Sequence, residues 1–242
     1  MCGRYAASRD PDDLVEEFEV ELVPGQLPPP SWNVAPTDEV SAVLVRRPRD
    51  GGGPAQRLLR PVRWGLVPSW ARDAKGGARL INARAETVAQ KPAFRAAFAA
   101  RRCLLPADGY FEWYATETGG RQPYYISRPD GAPLAMAGLY ELWRDPAGGP
   151  EAPLVWSATV ITTTATDELG HIHDRSPVLL ERADWARWLD PGAGADPGLT
   201  GLLVPPGPGV LRAWPVDAAV GNVRNNRPEL VEPLVHDAAT LF

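Results

Sequence analysis

The chain begins Met1-Cys2-Gly3-Arg4, and removal of an initiator Met ahead of so small a residue leaves a cysteine that carries both a free α-amine and a thiol. An α-amine titrates at about 7.7–8.0 and a lysine at about 10.4, so near neutral pH only the former is unprotonated often enough to attack a carbonyl. An aldehyde would give a Schiff base, and the thiol two bonds away could then close on the imine carbon to form a five-membered thiazolidine. Attack on an amide is the competing use of the same residue. A Cys that stands at position 2 by accident of a short N-terminus is the third reading, and position alone does not choose among them.

Three internal segments carry further chemistry. Asp108-Gly109-Tyr110-Phe111-Glu112-Trp113-Tyr114 reads as a strand with Tyr110, Glu112 and Tyr114 on one face. A carboxyl flanked by rings is partly desolvated, which raises its pKa toward neutrality and suits it to general acid and base work; a Glu on the wet face of an edge strand is the plainer alternative. Asn82 and Arg84, in Ile81-Asn82-Ala83-Arg84, stand at a strand end and project to the same side, where an amide holds a hydroxyl or amine and a guanidinium holds a phosphate. Turn-making is the ordinary use of such an Asn. His171-Ile172-His173-Asp174 has no third ligand at metal-binding spacing, so no metal is expected, and His173 beside Asp174 reads instead as a proton shuttle.

The formal net charge is −5, yet between Arg57 and Arg102 eleven basic residues face two acidic ones, Asp73 and Glu86. That run predicts a local basic field rich in Arg, whose planar fork suits phosphate oxygens, unless the charges scatter over different faces. Among the nine Trp, Trp64, Trp70 and Trp113 lie in or beside this run or the Glu112 segment, and rings interleaved with Arg suit a single-stranded nucleic acid. Trp185 and Trp188 read as helix-packing core. Cys2 and Cys103, about a hundred positions apart, predict neither a disulfide nor a zinc site in a reducing compartment.

The elements that must position these groups are mostly strands: 40–45, 58–64, 103–105, 110–114, 123–127, 134–142, 154–163, 178–180 and 210–215. Helices are expected from Asp10-Pro11 through Leu22, over 92–101 and over 183–189. Helices and strands do not alternate, which predicts one α+β domain over 1–242: a curved, mainly antiparallel, barrel-like sheet with a few peripheral helices. Residues 46–57, with Gly51-Gly52-Gly53-Pro54, read as a mobile insertion loop, and 228–242 as a C-terminal tail. No apolar leader or stretch near 20 apolar residues is present in the sequence, so a cytoplasmic, non-membrane protein is expected, as a monomer without cofactor.

Taken in order, Met1-Cys2-Gly3-Arg4-Tyr5, Trp32-Asn33-Val34-Ala35-Pro36, Trp64-Gly65-Leu66-Val67-Pro68, Ile81–Thr87, Ala107–Trp113, Ile172–Pro177 and Val220–Asn225 resemble the SRAP family of SOS response-associated peptidase-like, abasic site processing proteins. The glycine-rich insertion at Gly51–Gly53, Ser176 in place of a larger apolar residue, and the Pro/Gly-rich stretch after Trp188 depart from the family pattern. The resemblance implies binding to abasic sites in single-stranded DNA and a covalent thiazolidine crosslink through Cys2, with AP-lyase and N-terminal peptidase activities associated with the family, and nucleoid association when bound to DNA. It assigns Asn82 to positioning the N-terminus and the sugar, Glu112 to proton transfer and His173 to sugar-ring opening. Arg4, Arg84 and Arg175 match phosphate contacts, with Asn33, Trp64, Trp70, Trp113 and Thr162 as further strand or stacking contacts. Two other readings fit the opening residues: an N-terminal-nucleophile amidohydrolase of the glutamine amidotransferase kind, and a non-catalytic single-strand binding module.

Overall fold

Apolar runs bounded by Gly, Pro and Asp become strands here, and segments that open on an Asp-Pro pair become short helices. The computed structural model describes residues 2–48, 53–165, 169–194 and 196–234. In chain order the elements are β1 (Tyr5–Ala7), α1 (Pro11–Glu17), β2 (Ser31–Val34), β3 (Glu39–Arg46), β4 (Gln56–Trp64), β5 (Asn82–Arg84), α2 (Arg95–Ala100), β6 (Arg102–Ala107), β7 (Gly109–Ala115), β8 (Arg121–Ser127), β9 (Leu134–Arg144), β10 (Leu154–Thr164), β11 (Arg175–Pro177), α3 (Arg182–Leu189), α4 (Pro197–Thr200) and β12 (Arg212–Pro215).

Five strands close on themselves. β3 pairs with β4, β4 with β10, β10 with β9, β9 with β6 and β6 with β3. β10 also carries β5 and β11 beyond the ring. The second sheet, ordered β12-β8-β7-β1-β2, is antiparallel throughout. The α+β, barrel-like architecture is thus the expected one, with β10 pairing in parallel with β4 and β5.

Strand alternation sorts the ring's side chains to two faces. The outer set, including Val43, Leu59, Leu104, Leu139 and Ile161, packs with Phe18, Phe98, Trp185 and Trp188 from the helical layer. Phe18 stacks on Trp185 at 4.7 Å between ring centroids, a geometry worth about 0.5–1.5 kcal/mol beyond area burial. The inner set, including Ala42, Leu44, Val62, Trp64, Cys103, Leu105, Met136, Ala158 and Val160, shares a core with Cys2, Tyr5, Tyr110 and Ile126. β6 is buried at every position because both of its faces are covered.

The differences from expectation have local causes. Asp10 caps α1 by accepting from the Asp12 N–H, but the helix ends at Glu17. Glu19 adopts a positive φ of 51°, and Leu22 turns away to bridge Leu58. The strand expected at 178–180 is not formed; the strand lies just before it, at Arg175–Pro177, where the end of β10 offers an edge, and Leu179 makes an isolated bridge to Met136. The 46–57 insertion is the turn of the β3–β4 hairpin, with Arg46 opposite Gln56, and its residues 49–52 lie outside the described residues. The expected tail is anchored over its described part: Leu230 is buried and Leu234 N–H donates to Pro215 O at 2.9 Å, while 235–242 lie outside the described residues. No helix among the described residues is long and apolar enough to cross a membrane.

The Trp64-Gly65 junction is sterically constrained. Gly65 has φ +121°, and a Cβ there would stand 2.7 Å from Gly77 O. Gly65→Ala is therefore expected to cost about 1–3 kcal/mol and to lower the melting temperature; an unchanged thermal melt would contradict this account of the turn.

Candidate active site

Short strands from separate parts of the chain bring the chemical groups together. Cys2, just ahead of β1, is fully buried. Asn82 opens β5 and is held there by pairing with Val160 of β10. Its Nδ2 donates to Cys2 O at 2.7 Å, which fixes the amide so that Oδ1 points elsewhere. That oxygen is buried and accepts no hydrogen bond among the described residues. A buried acceptor left open costs about 1–3 kcal/mol, so a donor arriving beside Cys2 has a waiting partner.

Glu112 enters from β7, paired across to Tyr124 of β8, and is 4% exposed. Burial, with a contribution from the Asp174 charge, raises its pKa to about 7. Burial likewise pushes the Cys2 thiol far up, and the neighbouring Glu112 charge adds to that; Cys2 is held as a thiol. The Tyr5 and Tyr110 hydroxyls, in the same core, are also raised by burial first and by Cys2 second, and both stay protonated. His173 comes from the segment before β11, with Nε2 4.0 Å from Glu112 Oε2. Its Nδ1 lies 3.0 Å from both the Arg175 N–H nitrogen and Asp174 Oδ1. Burial lowers its pKa below the usual imidazole value, so the ring is neutral at pH 7. A carboxyl poised near neutrality, a neutral imidazole and an amide with an open acceptor therefore surround one cysteine.

The residues expected at a strand surface divide. Arg84 is exposed on β5, on the same side of the strand as Asn82, and Trp70 is 68% exposed. Trp113 is half-buried with the Arg4 guanidinium 5.9 Å from its ring centroid. Arg4 Nη1 donates to Asn33 Oδ1 at 2.7 Å and to Val220 O at 2.8 Å. Asn33 is buried, and its Nδ2 donates to the carbonyls of Val220, Asn222 and Asn225; it braces Arg4 against the 220–225 segment and offers no surface. Trp64 is wholly enclosed, edge-on to Tyr5 at 4.9 Å with Nε1 donating to Ile81 O, so its ring has no face for a base. Thr162 is buried too, and its carbonyl accepts from Arg175 Nη2 at 2.6 Å. Arg175 also grips Glu86 by both carboxylate oxygens, at 2.6 and 3.0 Å.

The basic run does not form one field. Arg102 is buried and donates to the carbonyls of Trp188, Phe98, Gly194 and Asp190. Arg57 pairs with Glu19 and Arg101 with Glu141. Linear proximity hid this dispersal, and it also hid the pairing of Glu86 with Arg175 and the part of the 220–225 carbonyls; the Asn-rich motif at 222–226 was the signal for the last. Cys2 and Cys103 are both free thiols. Among the described residues no group of three or more His, Cys, Asp or Glu is placed to hold a metal ion.

The profile of the SOS response associated peptidase (SRAP) family matches residues 1–223. The chain belongs to the SRAP family. Abasic site processing protein YoqW of Bacillus subtilis is 37% identical to it over 234 residues, spanning 96% of this chain and 99% of YoqW. Abasic site processing protein HMCES of Xenopus tropicalis is 29% identical over 270 residues, spanning 97% of this chain and 79% of HMCES. The crystal structure of a protein from Bacteroides thetaiotaomicron superposes with a TM-score of 0.80 at 22% identity, over 97% of this chain and 100% of that one, a likeness of fold. A Bordetella bronchiseptica protein follows at TM-score 0.71 and 27% identity, covering 89% of this chain and 100% of that one. The SRAP match includes every candidate residue, from Cys2 through Arg175.

Proposed function

We propose that this SRAP protein captures abasic sites in single-stranded DNA by forming a thiazolidine between the sugar aldehyde and Cys2, once Met1 has been removed. The observation that carries the reading is the grouping of a buried thiol, a carboxyl with pKa about 7 and an amide tied to Cys2 O. The names of the relatives YoqW and HMCES, abasic site processing proteins, support the substrate class. An abasic sugar has no base to unstack, least of all in a single strand, so turning it into a pocket costs little.

The sequence of steps follows from the protonation states. The free amine of Cys2 adds to the ring-opened aldehyde, with His173 moving the proton that opens the sugar ring. Protonated Glu112 gives its proton to the carbinolamine oxygen, which leaves as water and forms the iminium. The resulting carboxylate takes the proton from the Cys2 thiol as sulfur adds to the iminium carbon, closing the ring and restoring the acid. One water is released overall. Because burial keeps the thiol protonated, the amine acts first and the sulfur needs Glu112; the same burial disfavours the thiolate-first attack of an amidohydrolase. Loss of the proton adjacent to the iminium, with departure of the 3′-phosphate, is the lyase branch that ring closure outruns. The hydrolytic activity of the family name is met by release of Met1.

Arg84, Trp70, Trp113 and Arg4 are the contacts that hold the strand, through phosphate pairing and base stacking. The test mixes Met-trimmed protein with a single-stranded oligonucleotide bearing one abasic site and resolves the products under denaturing conditions. A slower-migrating adduct that depends on the abasic site is expected; its absence, or an equal yield after N-terminal acetylation, would reject the reading. Asn82→Ala frees the Cys2 carbonyl and is expected to slow adduct formation about 100-fold, the scale of a displacement near 1 Å, while the final yield holds; an unchanged rate would remove Asn82 from the site.

A further inference from the structure

Arg175 opens β11, two residues after His173, and its side chain runs back across the sheet. Thr162 of β10 stands between Pro177 of β11 and Arg84 of β5, so β11 and β5 flank the end of β10 on opposite edges. The Arg175 guanidinium spans that end. Nη2 donates to Thr162 O at 2.6 Å, and Nη1 donates to Thr164 Oγ1 at 3.4 Å. On the far edge Nη1 and Nη2 donate to the two carboxylate oxygens of Glu86, two residues beyond β5, at 2.6 and 3.0 Å. The fork that the family resemblance assigns to a phosphate is thus taken up within the chain.

This brace joins the two edges that carry the reacting groups. β5 opens on Asn82, whose Nδ2 holds Cys2 O at 2.7 Å, and the Arg175 amide nitrogen lies 3.0 Å from His173 Nδ1. Ahead of β11, Asp174 O accepts from the Ala165 N–H at 2.9 Å, and the His173 N–H donates back to Leu169 O at 3.3 Å. Those bonds set the segment's place along the edge of β10, whereas the bond from Arg175 to Glu86 sets its distance from β5. A bidentate carboxylate–guanidinium pair fixes direction as well as distance. We propose that Glu86 is a positioning residue for capture: its grip on Arg175 holds the His173 imidazole against Asn82 and Cys2 for the opening of the sugar ring. In that step the anomeric hydroxyl loses a proton, the ring oxygen gains one and the bond between C1′ and the ring oxygen breaks, leaving the aldehyde and a 4′-hydroxyl. The role rests on the proposed function, which gives His173 that proton transfer. The Glu86 side chain is 49% exposed, and an ion pair with so wet a partner adds little to global stability, so the fold survives its loss.

The test measures single-turnover crosslinking by Glu86→Gln on two single strands. One bears an abasic sugar; the other bears in its place an acyclic aldehyde that lacks the 4′-hydroxyl and has no ring to open. Gln removes the charge and one of the two acceptors. On the abasic strand the maximal rate is expected to fall about 10–100-fold, part of the ~10²–10⁴ that a positioned acid–base group supplies, while the strand concentration giving half the maximal rate holds. On the acyclic aldehyde the rate is expected to match the parent's. Adding Glu86→Gln to His173→Ala should slow the abasic strand no further, because residues that act through one group are not additive. Equal slowing on both strands, or additive losses in the double variant, would overturn the assignment. So would tighter strand binding with an undiminished rate, which would make Glu86 a competitor of phosphate for Arg175. Failure of the parent protein to crosslink either strand would instead reject the proposed function.

Discussion

Cys2→Ala is expected to eliminate every denaturant-stable adduct with an abasic oligonucleotide, even though the variant keeps a free α-amine. The amine alone reaches only a Schiff base, which hydrolyses under the conditions of the gel. Borohydride should therefore trap the variant on the strand, and without borohydride strand cleavage should rise, because no sulfur intercepts the iminium. The side chain is fully buried in the inner core, so loss of stability is the competing explanation for a dead variant. Cys2→Ser, nearly isosteric, separates the two: it should fold and give the borohydride-dependent product, and still fail to form the stable adduct. A stable adduct from either variant would show that the sulfur is not bonded to the sugar.

The second large effect belongs to Glu112. Its carboxyl titrates near 7 because burial disfavours the charged form, so at neutral pH both the acid needed for dehydration and the base needed for sulfur addition are populated. Glu112→Gln removes both roles with little change of shape and is expected to slow crosslinking about 10²–10⁴-fold. The pH profile is the sharper readout. Capture requires an unprotonated amine, which becomes available as pH rises through about 7.7–8.0, and a protonated Glu112, which is lost as pH rises through about 7. The parent rate should follow a bell with its maximum between these values, and Glu112→Gln should keep only the rising limb. His173, neutral at these pH values because burial lowers its pKa, adds no limb above pH 7. An unaltered bell in the Gln variant would assign the falling limb to another group.

The long strands were readable because each has its own alternation: β3, β4, β9 and β10 stand where apolar periodicity placed them, and Asp10-Pro11 opened α1 as its chemistry requires. β1, β2 and β5 were not, since three or four residues carry no period of their own and exist as strands only through their partners. That matters for the site, because β1 and β5 are what carry Cys2 and Asn82 together. Residue type alone suggested acid–base chemistry for Glu112 and His173, but their 4.0 Å approach depends on β7 and β11 belonging to different sheets. Trp64 and Asn33 take interior places for a related reason. A tryptophan suits a core and a stacking surface equally well, and only the closed barrel decides that Trp64 is enclosed. Asn33 spends its amide on the carbonyls of the 220–225 segment, a partnership nearly two hundred positions away.

The basic run carries the same lesson. Arg57, Arg101 and Arg102 are consumed by local pairing and carbonyl capping, whereas Arg60 joins Arg46, from outside the run, on the Trp156 ring. Charge density along a chain therefore does not mark the candidate active site; strand register does.

The most direct measurement is tandem mass spectrometry of the N-terminal peptide from the crosslinked protein after treatment with iodoacetamide. The expected product is a peptide that begins at Cys2, carries the sugar remnant with the loss of one water, and is not alkylated on sulfur. A crosslinked peptide that still begins with Met1, or one whose Cys2 thiol takes up the alkylating reagent while the sugar stays attached, would contradict it.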